Sequence, residues 1–149
     1  MDNERIERMC EKIREENLAV LEAFEVWLEA KGLSEKTFAK HVNNVDFYIN
    51  EFLLYEDARC PAEGVHDVSM FLGYWFIRKA MWASESSIRS NTASLKKFYA
   101  FMVERGEVDA EDLANLKQVC KEEMAGWLRR LRRYDDPDVA DWMGLGIEF

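Results

Sequence analysis

Apolar residues recur at helical spacing along most of this chain, and almost nothing in the sequence interrupts them. Across 149 residues there are two prolines and seven glycines, and few runs show the alternation with period two that a half-buried strand requires. The pattern predicts an all-α fold with short connections. With 48% hydrophobic and 13% aromatic residues, the chain has enough apolar surface for one packed core without disulfides or metals.

Local signals divide the chain. A first helix is expected from Asn3, as N-cap, to Lys31, with Gly32 ending it. Ile6, Ile13, Val20 and Trp27 repeat every seven residues, Asn17 and Phe24 fall on a neighbouring line, and the stripe widens from Leu18 with Leu21, Phe24 and Leu28. The narrow half reads either as a solvated helix lying along an edge or as a partner-binding coiled coil. Ser34 caps a second helix reaching Tyr55, with Phe38, Val42, Val45, Ile49 and Phe52 as its buried stripe. After the loop "EDARCPAEG", a third helix in residues 65–82 is apolar nearly all round and belongs in the middle of the bundle. Ser84 opens a fourth helix to Arg105, closed by Gly106.

Residues 106–127 hold six acids against two bases and form an acidic fifth helix, opened by Asp109 and Asp112 in the manner of a capping box. "EEMAGWLRRLRRY" extends or restarts it, and Asp136 with Pro137 starts a last short turn before an apolar tail. Arg129, Arg130, Arg132 and Arg133 either hold phosphates or complement a helix C-terminus, the second being the routine use of such a run. The whole chain, 1–149, reads as a single domain: a bundle over 18–108 with an extended N-terminal helix, and a C-terminal helical extension of one or two helices over 109–149.

The three cysteines, Cys10, Cys60 and Cys120, are far apart and odd in number, which predicts reduced thiols. The two histidines, His41 and His66, offer no metal-ligand spacing, so neither cofactor nor metal is expected. The charged N-terminal segment lacks the apolar run of a signal peptide, and no window reaches the roughly 18 apolar residues of a membrane span. The expectation is a cytoplasmic protein that does not contact membrane.

Two helix faces carry the polar chemistry. Lys36, Lys40, Asn43, Asn44 and Phe47 lie opposite the apolar stripe of the second helix, with His41 nearer its boundary. On the fourth helix, Ser86, Arg89, Ser90, Ala93, Lys96 and Lys97 share the outer face. Small residues that let a helix approach a duplex, with Lys and Arg for phosphates and Asn or Arg for base edges, suit DNA. By itself such a face is usually only solvated. The net charge of −9 also argues against a basic domain: residues 85–105 carry +2, but residues 1–31 carry −4.

The stretch "WLEAKGLSEKT" (27–37), the polar helix after it, and "SESSIRSNTASLKKFYAFMVERG" (84–106) together resemble the N-terminal, SAM-like core-binding domain of phage integrases and other tyrosine recombinases. The resemblance spans residues 18–108. It implies a four-helix orthogonal bundle forming half of a clamp on double-stranded DNA. It also implies that Ser34, Lys36, Thr37, Lys40, His41 and Asn44, with Ser87, Arg89, Ser90, Asn91, Ser94, Lys96 and Lys97, lie on or near the DNA side. In that family a catalytic domain follows, but here both histidines lie upstream and no R…H-x-x-R…Y arrangement exists. The expected function is therefore non-catalytic DNA binding, accessory or regulatory to recombination or integration, with a second copy of the chain or a separate recombinase as the candidate protein partners. The alternative is a protein-interaction or homo-oligomerisation module that keeps the fold and has lost the DNA surface.

Overall fold

The computed structural model describes residues 2–135. Among these the chain is all-α, with no strand. Helix α1 (Asp2–Glu29) leads into α2 (Glu35–Phe47), which continues as a π-helical turn (Tyr48–Phe52). A 3₁₀ turn (Glu63–His66) precedes a rod made of α3 (Val68–Met70), a π-helical turn (Phe71–Trp75) and α4 (Phe76–Lys79). The long helices α5 (Glu85–Glu104) and α6 (Ala110–Asp135) complete the bundle. No helix among the described residues is long and apolar enough to cross a membrane.

The punctuation follows local chemistry. The Ser34 hydroxyl accepts the Thr37 amide at 3.2 Å, and Ser84 caps α5 by a reciprocal box in which Ser87, not the usual Glu or Gln, returns the bond. Gly32 and Gly106, at φ +71° and +78°, turn the chain after α1 and α5, in a region that a Cβ disfavours. Helix α1 already includes Asp2 and Asn3, so Asn3 lies in the first turn and does not cap it. Asp112 lies 3.9 Å from His66 Nε2, and α6 runs without a break through "EEMAGWLRRLRRY". The expected turn at Asp136 and Pro137 and the apolar tail lie outside the described residues.

One apolar core joins the elements. Phe24 and Leu28 of α1, Val45, Tyr48, Ile49 and Phe52 of α2 and its π turn, Phe71, Leu72 and Phe76 of the rod, and Leu95, Phe98 and Tyr99 of α5 are all buried in it. Helix α6 adds Leu116, Trp127, Leu128 and Leu131 to the same core, so it is packed into the bundle rather than laid beside it. The two buried tyrosine hydroxyls are both satisfied. Tyr48 donates to Gly64 O at 2.5 Å and Tyr99 to Pro61 O at 2.8 Å, which fastens the loop before the rod.

Several helix faces differ from the periodicity argument. On α1 the buried line is Cys10, Asn17, Phe24 and Leu28, while Ile6, Ile13, Val20 and Trp27 sit half-buried along its edge and Leu18 is exposed. Asn17 explains the choice: its amide donates to Asn50 Oδ1 at 2.8 Å, giving this polar residue a partner that an apolar line would not supply. The second helix stops being α-helical at Phe47 because the π turn, closed by Leu53 N to Tyr48 O at 3.0 Å, shifts the register so that Tyr48, Ile49, Phe52 and Leu53 all enter the core. The rod is not apolar all round in effect. Met70 and Tyr74 face solvent, and Met81 and Trp82 fall beyond its end.

Candidate nucleic-acid interface

Helices α2 and α5 pack along each other, and the seam between them is polar. Asn44 Nδ2 donates to Ser90 Oγ at 3.0 Å and to Ser94 Oγ at 2.9 Å, and His41 Nδ1 meets Ser94 Oγ at 2.7 Å. With a neutral imidazole protonated on Nε2, donors run in one direction, from Asn44 to Ser94 to His41. Four residues expected on the DNA side are thus spent largely inside the protein: His41 and Ser94 are buried, and Asn44 and Ser90 are half-buried. Asn91 is buried too, its amide bonded to Ser87 O at 2.8 Å. Phe47, expected on the outer face, packs against Phe71, Trp75, Phe76 and Trp82. The periodicity places these residues around the helix correctly but does not say that a second helix covers that sector.

The seam leaves an electrostatic trace. Burial first, then the charges of Lys97 and Lys40, hold the His41 pKa below its ordinary value of 6.5. The unfolded chain therefore takes up this proton at higher pH than the folded one. Stability is complete above about pH 6.5, falls as pH drops below it, and levels off beneath the folded pKa. Urea midpoints are expected to fall between about pH 7.5 and about pH 5.5 in the wild type and to change less in His41→Asn, a window above most carboxylate titration. Parallel slopes for the two proteins would remove His41 from the account.

The same two lysines show that the exposed faces of α2 and α5 adjoin. Lys36 and Lys40 are exposed on α2, Arg89 is exposed on α5, and Lys96 and Lys97 are half-exposed. Ser34 and Ser87 are occupied as caps, and Thr37 receives the Ser34 hydroxyl at 3.0 Å. Arg89 also pairs with Glu85 at 3.2 Å, which reduces its free charge.

On its other flank, α5 borders an open groove of about 990 Å³ against α6 and the end of α1. Lys31, Arg89, Lys96, Lys97, Lys117 and Lys121 line it, against a single acid, Glu104. That acid accepts the Trp27 indole N–H at 3.1 Å, and Lys31 Nζ stands 4.3 Å from the Trp27 ring centre. The floor is formed of Thr92, Ala93, Ala100, Cys120 and Met124. Burial raises the Cys120 thiol to about 11, with Lys96 opposing, so it stays protonated at neutral pH and lines the floor as a small apolar group.

Lys117 and Lys121 belong to a segment that is acidic in sum. Net charge hides them; spacing reveals them, since Lys117, Cys120, Lys121 and Met124 share one arc of α6 while Glu122 and Glu123 point away from it. Glu123 bonds Ser69 at 2.5 Å on the far side.

The arginine run at the end of α6 is in part structural. Arg130 stacks on Tyr74 at 4.4 Å and Arg132 approaches Glu85 at 4.0 Å, while Arg129 and Arg133 are exposed. No family model, curated protein or solved structure matches this chain.

Proposed function

We propose that this chain binds double-stranded DNA through its phosphates, performs no chemistry on it, and serves as an accessory or regulatory factor in recombination or integration. One observation carries the reading: in a chain of net charge −9, six cations and one acid line a single groove beside α5. Convergence of that kind favours a polyanion.

The arrangement suits a duplex. Helix α5 lies between α2, which carries exposed Lys36 and Lys40, and the groove lined by Lys31, Lys117 and Lys121. Cations spread on both sides of α5 suit the two phosphate rows that border a major groove about 12 Å wide. The small side chains of Ala93 and Ala100 in the groove lining allow close approach. The resemblance to the SAM-like core-binding domain of tyrosine recombinases adds support from the "KGLSEKT" turn and the "SLKKFYAFM" helix.

Fluorescence anisotropy of a labelled random-sequence duplex tests the proposal. Neutralising about six phosphates predicts an affinity loss of roughly a thousandfold between about 50 mM and about 200 mM salt. Absence of binding at the lower salt would overturn it in favour of an interaction or oligomerisation module.

A further inference from the structure

Along α1, residues 15–30 hold five acids and no base. Four of the acids, Glu15, Glu22, Glu25 and Glu29, fall within an arc of about 80° at 100° per residue, and Glu7 and Glu11 continue the line toward the N-terminus. Leu18 stands inside the arc and Val26 beside it, and both are exposed. None of these glutamates has an ion-pair partner among the described residues. The result is a narrow anionic stripe with apolar knobs, about 21 Å long from Glu15 to Glu29 at 1.5 Å per residue.

The groove beside α5 has the opposite character at the same scale. It follows α5 from Arg89 to Glu104, about 22 Å by the same rise. Lys31, Lys96, Lys97, Lys117 and Lys121 line it without ion-pair partners among the described residues, over a floor that includes Ala93, Ala100 and Met124. One chain cannot bring its own two surfaces together. Helix α1 is continuous from Asp2 to Glu29, and Trp27, which lines the groove, lies about 160° round that helix from the middle of the stripe. The stripe of one copy is therefore open only to the groove of another.

We propose that the glutamate stripe of a second copy docks in this groove, with Leu18 toward the floor, and competes there with nucleic acid. The proposal rests on reading the groove as a polyanion site and names a protein occupant for it. Charge complementarity selects that occupant, since the carboxylates supply the anions that phosphates would. The contact joins two different surfaces, so copies either pair reciprocally or extend head to tail.

Sedimentation equilibrium of the full chain tests the docking. At about 50 mM salt the mean mass is expected to rise above one chain with concentration, and at about 300 mM salt the association should weaken at least about tenfold as the charges are screened. A stripe variant, Glu15→Gln with Glu22→Gln and Glu29→Gln, should stay at one chain. So should a groove variant in which Lys96, Lys97, Lys117 and Lys121 are all replaced by Ala. Mixed, the two variants should associate, because one keeps the groove and the other keeps the stripe. Glu16→Gln with Glu51→Gln and Glu56→Gln makes an equal change of charge at exposed positions off the stripe, and should associate as the parent does. Circular dichroism melts verify that each variant is folded.

A parent that stays at one chain at low salt, a stripe variant that associates as the parent does, or a mixture that stays unassociated overturns the proposal. Duplex binding is read by anisotropy on the same samples. Duplex binding without self-association overturns the docking and leaves the DNA reading standing. Self-association restored in the mixture, without duplex binding, upholds the docking and overturns the DNA reading. Where both occur, a duplex of about 10 base pairs should dissolve the self-association at about 50 mM salt, and complexes that retain it overturn the competition.

Discussion

Replacing Lys96, Lys97, Lys117 and Lys121 together with Ala is expected to lower duplex affinity by about a thousandfold near 100 mM salt and to flatten the salt slope by about 3 to 4 units. The four side chains line one groove, and every phosphate that is no longer neutralised keeps close to one counterion that binding would otherwise release. Little of this should come from unfolding, since Lys117 and Lys121 are exposed and Lys96 and Lys97 are half-exposed. Lys12→Ala with Arg14→Ala on the exposed side of α1 is the charge control, and it should leave binding nearly unchanged. If the quadruple variant binds as the parent does, the groove is not the phosphate site. If Lys96→Ala with Lys97→Ala is as damaging as all four, α6 has no part in it.

The second large effect is on stability. Trp127 is fully buried on α6, its indole donates to Ser69 Oγ at 3.3 Å, and it lies against Gly73 in the rod. Trp127→Ala should cost about 3–5 kcal/mol and lower Tm by about 10–15 °C, read by thermal circular dichroism. A Cβ at Gly73 would come within 2.6 Å of Trp127 Cδ1, so Gly73→Ala is destabilising by about 1–3 kcal/mol in the parent. In the Trp127→Ala background the obstructing ring is gone, and Gly73→Ala should become nearly neutral. A parent-like melt for Trp127→Ala would mean that α6 adds little to the core. Such a result would also weaken the groove, one wall of which α6 forms.

Both effects depend on the same helix, and α6 is where the sequence is least informative about the fold. Charge summed over residues 106–127 makes the segment acidic and assigns it to the flank of the bundle. In the fold its acids and bases occupy different arcs: Lys117 and Lys121 face α5, and Glu123 turns toward Ser69. A segment total cannot express that segregation. Helical phase shows it, but not that α5 lies opposite the lysines.

His41, Asn44 and Ser94 show the converse. Each is a fair candidate for touching a base, and each is consumed in the α2–α5 seam by bonds of 2.7 to 3.0 Å. A polar side chain on a helix meets water, nucleic acid or another helix according to what packs there. Burying these groups unpaired would cost about 1–3 kcal/mol each, so their mutual bonds are what make a close seam of polar residues tolerable.

Whatever acts within a turn or two of backbone can be read directly from the residues. Ser34 and Ser84 start helices because their hydroxyls reach an amide three residues on, and Gly32 and Gly106 end them because the left-handed turn there has no Cβ to obstruct it. The apolar faces of α2 and α5 follow from the same short-range period. Which surfaces share a groove is set by packing between helices. Lys31, Lys97 and Lys121 come from three separate parts of the chain, and their approach is set by how Trp127, Phe98 and Phe24 fill the core between them. Side-chain packing acts over any separation along the chain, whereas helical periodicity describes one helix at a time.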